Sequence, residues 1–298
     1  MPLPTSILCP IDFSEHAERA LRHAVALTGA FRARLTVVTV SDPLLVAATA
    51  AAGHAGTLRE QIETALVEAL SRVPAHGQRV LPAIDIVTGE APEEILKAID
   101  RAGADLVVMG TQGLGGTSKL MFGSTTERVI RGARVAVLAI PAYAPECMCV
   151  DDGATRLTVG AVVAAVGLDA LDAVVVSTAA EWAKACGSSL LLTHVCHEAP
   201  APAWWPFTGS PLPAESVDAA RAQLEVLAKS VTGIVETTVD VRRGAVPAAV
   251  ATVAREKSAK LLVVSRGGGG HRLGTVAYRI MSEADIPTLV VSGPSSAP

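Results

Sequence analysis

The residues best suited to chemistry in this chain form a glycine-rich loop between a strand and a helix. Gly110 follows an apolar run at residues 105–109 that predicts a buried parallel strand, and Ser124-Thr-Thr-Glu127 has the Ser-x-x-Glu form of a helix capping box. Glycines let backbone N–H groups approach an anion, and a helix start adds unpaired donors and a positive dipole end. This order predicts a phosphate cradle, with a flexible surface turn as the alternative.

The loop matches neither of two familiar phosphate-binding fingerprints. It lacks the dinucleotide spacing, and no Gly-Lys-Ser/Thr follows its second glycine cluster as a Walker motif requires. Its function therefore has to be inferred from the elements that position it.

Composition predicts the fold class and excludes one class of partner. A chain of 298 residues suggests two domains, and 50% hydrophobic with only 3% aromatic residues requires a core of Ala, Val, Leu and Ile. That composition favours helices packed on buried parallel strands. The net charge of −4 provides no basic footprint, so we expect no nucleic-acid partner.

The start of the chain and its cysteines predict a cytoplasmic protein with reduced thiols. The five cysteines are an odd number, and the first five residues lack the charged region of a signal peptide. Two apolar runs fall short of the roughly 20 residues that a membrane span needs. One is broken by Asp42-Pro43 and the other ends before Asp169, so no membrane partner is expected.

Strands and helices alternate through the first half, which predicts a parallel sheet with right-handed crossovers. The Ala-rich stretch over residues 41–56 is either a mobile flap or a helical extension. The predicted strands lie at residues 6–12, 35–40, 80–87, 105–109 and 135–140, and the predicted helices at 14–28, 58–73, 92–101 and 124 to about 131.

The pattern then starts again, because an offset of 155 residues relates Val40 to Val195 and Gly89 to Gly244. A fixed offset over several strands indicates a duplicated domain. Between the copies, residues 142–156 are rich in turn-forming types and predict irregular chain. The predicted organisation is a first domain at residues 1–144, a linker at 145–156 and a second domain at 157–298.

The second copy departs from the first where chemistry is expected. Asp12 corresponds to Gly167, so the second copy has no carboxylate at the end of its first strand. Gly110 corresponds to Ser265. Nine residues separate Gly113 from Gly123, whereas the second loop has five residues between its matching glycines. The sequence therefore predicts an intact motif in the first domain and a degenerate one in the second.

Taken together, the strand ends at Asp12 and Val40 and the motif G-x-x-G-x9-G-S at positions 110–124 resemble the universal stress protein family in its tandem form. The resemblance implies an α/β fold of two tandem open parallel five-stranded sheets in the order 3-2-1-4-5, with helices on both faces. In that family the spaced glycine motif marks members that bind ATP. ATP, accompanied by Mg²⁺ on its phosphates, is therefore the expected cofactor of the first domain.

The resemblance also implies a role for each matching residue. Val40 contacts adenine through its backbone, and Asp12 lies near the base and ribose, although a helix N-cap, which Asp12 or Ser14 can provide, is the alternative. The glycines let the loop close over the phosphates, and the Ser and Thr residues add hydroxyl and N–H donors. The expected cofactor-binding residues are Pro10, Ile11, Asp12, Val40, Met109, Gly110, Gly113, Gly123, Ser124, Thr125 and Thr126.

No catalytic residue and no metal-ligating set is predicted. His194-Val-Cys-His197 and Cys147-Met-Cys149 lack zinc spacing and lie in different segments. Trp204-Trp205, in a proline-rich insertion, predicts either a partner-docking patch or a flap over the second crevice.

The sequence leaves three functions in competition. The first is an ATP-binding stress-response or regulatory protein whose nucleotide alters conformation or binding to an unidentified protein partner. The second is a weak ATPase or nucleotidyl-transfer enzyme, although no His-containing transfer motif and no general base stand near the loop. The third is a scaffold without ligand. Family members often dimerise through the last strand, so we expect a homodimer and pairing of residues 135–140 with 288–291 within the chain.

Overall fold

The computed structural model describes residues 2–73, 81–112, 123–144, 148–151, 154–157, 160–197, 216–267 and 275–293. Two compact units divide the chain, one formed by residues 3–158 with 287–290 and the other mainly by residues 159–286. Within the described ranges, no helix combines the length and the apolar character needed to cross a membrane.

The first half alternates strands and helices as its sequence predicts. Its elements are β1 (Ser6–Pro10), α1 (Glu15–Phe31), β2 (Arg34–Ser41), α2 (Pro43–Ala51), α3 (Ala55–Ser71), β3 (Ala83–Thr88), α4 (Ala91–Ala102), β4 (Leu106–Gly110), α5 (Ser124–Gly132) and β5 (Ala136–Ile140). Every residue of β4 and β5 is buried, as expected for parallel strands covered on both faces. The hydrogen-bonded order β3-β2-β1-β4-β5 confirms the predicted order 3-2-1-4-5.

Two alternatives are predicted for the Ala-rich stretch after β2, a mobile flap and a helical extension, and the structure shows the helical extension. Asp42 caps α2 by accepting a hydrogen bond from the Leu44 N–H (2.7 Å), and Pro43 occupies the first turn, where its missing N–H costs nothing. None of the residues of α2 is buried. The region predicted as irregular chain after β5 also contains regular structure, because β6 (Met148–Asp151) and β7 (Ala154–Leu157) pair as an antiparallel hairpin.

The second half repeats the pattern of the first. Its elements are β8 (Val162–Ala165), α6 (Asp172–Ala185), β9 (Leu190–His197), α7 (Val217–Ser230), β10 (Thr237–Gly244), α8 (Val246–Glu256), β11 (Leu261–Ser265), α9 (Thr275–Ala284) and β12 (Thr288–Val291). The order β10-β9-β8-β11-β12 is again 3-2-1-4-5.

The predicted α/β fold class is confirmed, but its strands form one sheet of ten in place of the two predicted sheets of five. The cause is an antiparallel pair between β12 and β5, in which Leu289 lies opposite Leu138. This is the pair of final strands that the sequence predicted to associate. Residues 287–290 accordingly belong to the same compact unit as β5. Pairing also covers two strand edges that would otherwise expose unpaired N–H and C=O groups.

The duplication extends to individual backbone bonds and torsion angles. The Ile11 N–H donates to the Val38 carbonyl at 2.9 Å, and 155 residues later the Val166 N–H donates to the Thr193 carbonyl at the same distance. Left-handed residues recur at the same offset, with φ of 61° at Phe13 and 59° at Leu168, and 54° at Arg32 and 62° at Gly187. The two repeats therefore share the same backbone conformation after their first strand and in the turn that leads into their second strand.

Candidate functional site

The predicted site residues lie where the winding of the first sheet reverses. β1 lies between β2 and β4, and all three strands are parallel, so their carboxyl ends meet at one edge. In open α/β sheets such a reversal leaves a crevice outside the strand ends, which is where ligands bind. Val40, Asp12 and Gly110 each lie at one of these ends.

Val40 presents its backbone to this crevice. The bonding between β2 and β1 ends at Val38, whose carbonyl accepts from the Ile11 N–H, but β2 continues through Ser41. Backbone groups along a strand point alternately to its two neighbours. Because the Ser41 carbonyl accepts from the Gly89 N–H on the β3 side, the N–H and C=O of Val40 point to the β1 side, beyond the end of β1. A planar base could form hydrogen bonds with both groups there.

Asp12 is exposed at the mouth of the crevice and is not the helix cap. Ser14 caps α1, because its Oγ accepts from the Ala17 N–H at 3.2 Å. The Oδ1 atom of Asp12 in turn accepts from the Ser14 N–H at 3.1 Å and from the Ser14 hydroxyl at 2.6 Å. Of the two capping alternatives, the structure selects Ser14, and it leaves the Asp12 carboxylate at the surface and oriented by that serine.

The residues beside Asp12 and Gly110 are largely enclosed. Ile11 and Met109 are buried, and Pro10 is half-buried, so each offers the crevice mainly its backbone. The Cys9 thiol precedes them inside the core, where burial raises its pKa to about 12. Cys9 is therefore a neutral, unreactive thiol at cellular pH.

Gly110 packs directly against α1. A Cβ atom at this position would lie 2.9 Å from the His16 carbonyl oxygen, 3.1 Å from the His16 carbonyl carbon and 3.3 Å from the Gln112 carbonyl oxygen. All three are backbone atoms, which cannot move aside as a flexible side chain would. Glycine at position 110 therefore lets the first turn of α1 approach the end of β4. Sequence reasoning did not identify His16, because nothing in its local pattern indicates contact with the glycine loop.

The glycine loop is closed at its base. The Gly123 N–H donates to the Thr111 carbonyl at 2.8 Å, and the Thr111 N–H donates to the Ile140 carbonyl at 3.0 Å. Gly113, another predicted site residue, lies outside the described residues. These bonds anchor both ends of the loop to the end of β5 and bring α5 to the crevice.

The predicted capping box at the start of α5 is wrong by one residue. The N-cap is Gly123, and Ser124 is already the first helical residue, so its hydroxyl is not in the capping position. Glu127 instead forms an ion pair with Arg131 at 2.5 Å. Within the described part of the chain, no side chain caps this helix, which leaves the first-turn N–H groups of α5 as donors toward the crevice.

The three hydroxyl residues of this turn differ in their surroundings. Ser124 is exposed and Thr125 is half-buried. Thr126 is buried, with 4% of its surface exposed, and its hydroxyl donates to the Gly110 carbonyl at 2.8 Å. The Thr126 hydroxyl thus ties α5 to the end of β4, while Ser124 stands where a ligand can reach it.

Comparison with known proteins identifies the family. The model of the universal stress protein family matches residues 5–141 and again residues 159–292. The chain belongs to the universal stress protein family. A universal stress protein of Methanocaldococcus jannaschii is 29% identical over 136 residues, which cover 45% of this chain and 80% of that protein. One of Thermus aquaticus is 33% identical over 137 residues, which cover 45% of this chain and 97% of that protein.

Solved structures show the same fold over the tandem length of this universal stress protein. A universal stress protein from Archaeoglobus fulgidus has a TM-score of 0.69 at 18% identity, covering 99% of this chain and 98% of its own. A putative universal stress protein from Pseudomonas aeruginosa has a TM-score of 0.60 at 15% identity, covering 97% and 93%. At these identities the likeness establishes the fold alone.

The second universal stress protein repeat replaces the site residues of the first. Gly167 stands in place of Asp12, and Ser265 in place of Gly110. The Asp172 carboxylate accepts hydrogen bonds from the Gly167 N–H at 3.1 Å and the Asp169 N–H at 2.8 Å. Amide donors at the end of β8 are thus bound by a carboxylate of the chain itself. Sequence reasoning missed Asp172, because the corresponding residue of the first repeat is an alanine.

Burial shifts the pKa values of two side chains in the second repeat. Burial raises the pKa of Asp172, and the neighbouring Asp169 charge adds to the shift, whereas the two backbone N–H donors oppose it. Burial also lowers the pKa of Arg266, which donates to the Ser292 hydroxyl. Among the described residues, no cluster of three or more His, Cys, Asp or Glu side chains could hold a metal ion.

Proposed function

We propose that the first repeat binds an adenine nucleotide, with ATP and Mg²⁺ as the physiological form. Membership of the universal stress protein family supports a role in the stress response. The observation that carries the nucleotide proposal is the backbone of Val40, whose N–H and C=O point past the end of β1. One donor and one acceptor on the same residue match the hydrogen-bonding edge of adenine, which also has one of each.

The phosphate end of the proposal rests on α5. This helix has nine residues and a glycine N-cap with no side chain to bond its first N–H groups. The positive end of the helix dipole and those donors together favour an anion. Ser124 adds an exposed hydroxyl at the first helical position. We assign the β- and γ-phosphates to this turn.

The ribose end rests on Asp12. Its carboxylate is exposed, and its Oδ1 atom is oriented by two hydrogen bonds from Ser14. A carboxylate accepts strongly from hydroxyl groups and repels phosphate, so Asp12 favours the sugar over the anionic end of the ligand. Along the crevice, the base would then bind at Val40, the ribose at Asp12 and the phosphates at the first turn of α5.

We propose that nucleotide occupancy alters the association of this chain with an unidentified protein partner. We also propose that the protein is a homodimer. We place this activity in the cytoplasm, where ATP and Mg²⁺ are abundant. The second repeat has no matching carboxylate at the end of β8 and satisfies local amides with Asp172, so we propose that it does not bind ATP.

Substitution of Asp12 and Ser124 separates the two ends of the ligand. We expect Asp12→Asn to weaken adenosine and ATP binding alike by roughly tenfold, since hydrogen bonds to charged groups contribute about 1.5–3 kcal/mol. Ser124→Ala should weaken ATP binding by several-fold and leave adenosine binding unchanged. Equilibrium dialysis with radiolabelled ligands measures both affinities.

The matched control is Asp42→Asn, which removes an exposed carboxylate that caps α2 outside the proposed site. Its nucleotide affinity should equal that of the wild type. The proposal fails if the wild type binds neither ligand, or if Asp12→Asn and Asp42→Asn give the same affinities. Equal loss of adenosine and ATP binding in Ser124→Ala would instead contradict the assignment of the phosphates to α5.

A further inference from the structure

A second pocket of the first repeat lies at the opposite edge of its sheet from the strand ends described above. It has a volume of about 600 Å³ and is formed at the amino ends of β1, β2 and β3, beside the carboxyl ends of α1 and α4. Its lining includes Ser6, Arg32, Arg34, Leu35, Leu81 and Ala83. None of the residues that line this pocket belongs to the proposed nucleotide site.

Two arginines give the pocket its charge. Among the described residues, no carboxylate lies within ion-pair distance of Arg32 or Arg34, and the pocket lining contains no acidic side chain. By contrast, Arg72 pairs with Glu18 at 2.5 Å and Arg101 with Asp85 at 2.8 Å. Within the described residues the two guanidinium groups thus form no ion pair, and both side chains are exposed.

Arg32 occupies a backbone conformation that disfavours a side chain. Its φ of 54° and ψ of 36° are left-handed, and the equivalent residue of the second repeat, Gly187, adopts φ 62°. Glycine takes this conformation without strain, whereas arginine does not. Four other non-glycine residues of the described chain also have a positive φ, so the role of Arg32 rests on its place in the pocket and not on its backbone conformation. Arg34 likewise has no cationic counterpart, because the second repeat has Ser189 there.

The adjacent helix ends reduce this charge but do not cancel it. The carboxyl end of a helix carries roughly half a negative charge, so α1 and α4 together offset about one of the two positive charges. Part of that negative end is already satisfied, since the Ala33 N–H bonds the Thr28 carbonyl at 3.1 Å and the Ala104 N–H bonds the Ile99 carbonyl at 3.0 Å. The Asp105 carboxylate also lies beside the pocket, since it accepts from the N–H groups of Thr5 and Ser6, so the positive charge available to a ligand is that of the two guanidinium groups themselves.

Apolar residues form another part of the pocket wall. Ala83 and Leu81 are exposed, Leu81 by 81%, whereas Leu35 lines the pocket but is only 4% exposed. A ligand that fits both sides has an oxyanion for the guanidinium groups and an apolar body for this wall. We propose that the pocket is a second ligand site, for a small organic oxyanion in the form of a carboxylate or a phosphate monoester.

Calorimetric titration of the full chain with phenyl phosphate and with benzoate tests the proposal, since both pair an oxyanion with an apolar ring. We expect saturable binding of at least one probe at one site per chain, and the preferred probe distinguishes a phosphate from a carboxylate ligand. Arg34→Gln and Arg32→Gly should each weaken that binding about tenfold, the usual effect of losing one charge-assisted hydrogen bond.

Three controls test whether a change in probe binding arises from this pocket. Arg59→Gln, which removes an exposed arginine of α3, should leave probe binding unchanged. Arg32→Gly should keep or raise the melting temperature, because glycine relieves the left-handed strain, so weakened binding cannot be attributed to unfolding. Asp12→Asn should retain full probe binding, which separates this site from the nucleotide crevice.

Three results would overturn the proposal. The first is the absence of saturable binding of both probes to the wild type. The second is unchanged binding in both arginine variants. The third is competition between adenosine and the bound probe, because it would place the probe in the nucleotide crevice. None of these results depends on whether ATP itself binds, so the two proposals can fail separately.

Discussion

Replacing Gly110 by alanine should destabilise the first repeat, because the new methyl group would enter occupied space. The built Cβ lies 2.9 Å from the His16 carbonyl oxygen and 3.3 Å from the Gln112 carbonyl oxygen, whereas ordinary contacts begin near 3.4 Å. Relief requires α1 or the start of the loop to shift as a unit. Overpacking of this kind costs about 1–3 kcal/mol. The second repeat has Ser265 at this position, so the close approach is a property of the first repeat.

The free energy of unfolding in urea, followed by far-ultraviolet circular dichroism, measures the cost. Hydrogen exchange should locate it, with faster exchange in peptides from the first turn of α1 and the end of β4 and no change in the second repeat. Gly56→Ala is the matched control, because its Cβ meets nothing within 4 Å and it lies within α3. That variant should gain up to about 1 kcal/mol. A Gly110→Ala protein within about 0.5 kcal/mol of the wild type would refute the packing argument.

Three further outcomes follow from buried groups. Thr126→Val keeps the shape of the side chain but leaves the Gly110 carbonyl without its 2.8 Å donor, so the free energy of unfolding should fall by about 1–3 kcal/mol in urea titrations; an unchanged midpoint would contradict the bond. Cys9, with a pKa of about 12, should resist a thiol reagent at pH 8 in the native protein and react after unfolding, as peptide mapping would show. Because the pKa of Asp172 is raised by burial, its contribution to stability is greatest at low pH and is lost as pH rises. The stability of the wild type relative to Asp172→Asn should therefore increase as pH is lowered from 7 toward 4, and the opposite slope would exclude this linkage.

The fold was predictable because its signals are distributed over many residues. Except for the last strand of each repeat, every strand of the sheet is a short β-branched or apolar run followed by a helix, and the offset of 155 residues let one half be checked against the other. The pairing of β5 with β12 was predicted from the resemblance to a family whose members associate through the last strand, and not from the apolar pattern, which makes both strands buried whether or not they pair. The prediction missed that this pair joins the strands into one sheet of ten. Sequence pattern specifies that a strand is covered, but it does not specify which neighbour covers its edge.

The site was less predictable because its details depend on single residues. The capping box at Ser124 was displaced by one position, which turned a presumed cap into the first helical residue. Thr126 matched the motif, yet its hydroxyl is directed to the Gly110 carbonyl. Asp172 had no counterpart in the first repeat and so gave no signal at all. For Thr126 and Asp172 a hydrogen bond between the side chain and a backbone group decided the role, and residue type alone does not reveal such bonds.

Calorimetric titration of the wild-type chain with ATP in the presence of Mg²⁺ tests whether the first repeat alone binds nucleotide. We predict one saturable site per chain, formed by the first repeat, and no binding to the second repeat, because the Asp172 carboxylate already accepts from its Gly167 and Asp169 N–H groups. Two sites per chain would show that the second crevice also accepts nucleotide and would contradict the role given to Asp172. The absence of any binding would contradict the proposed function of the first repeat itself.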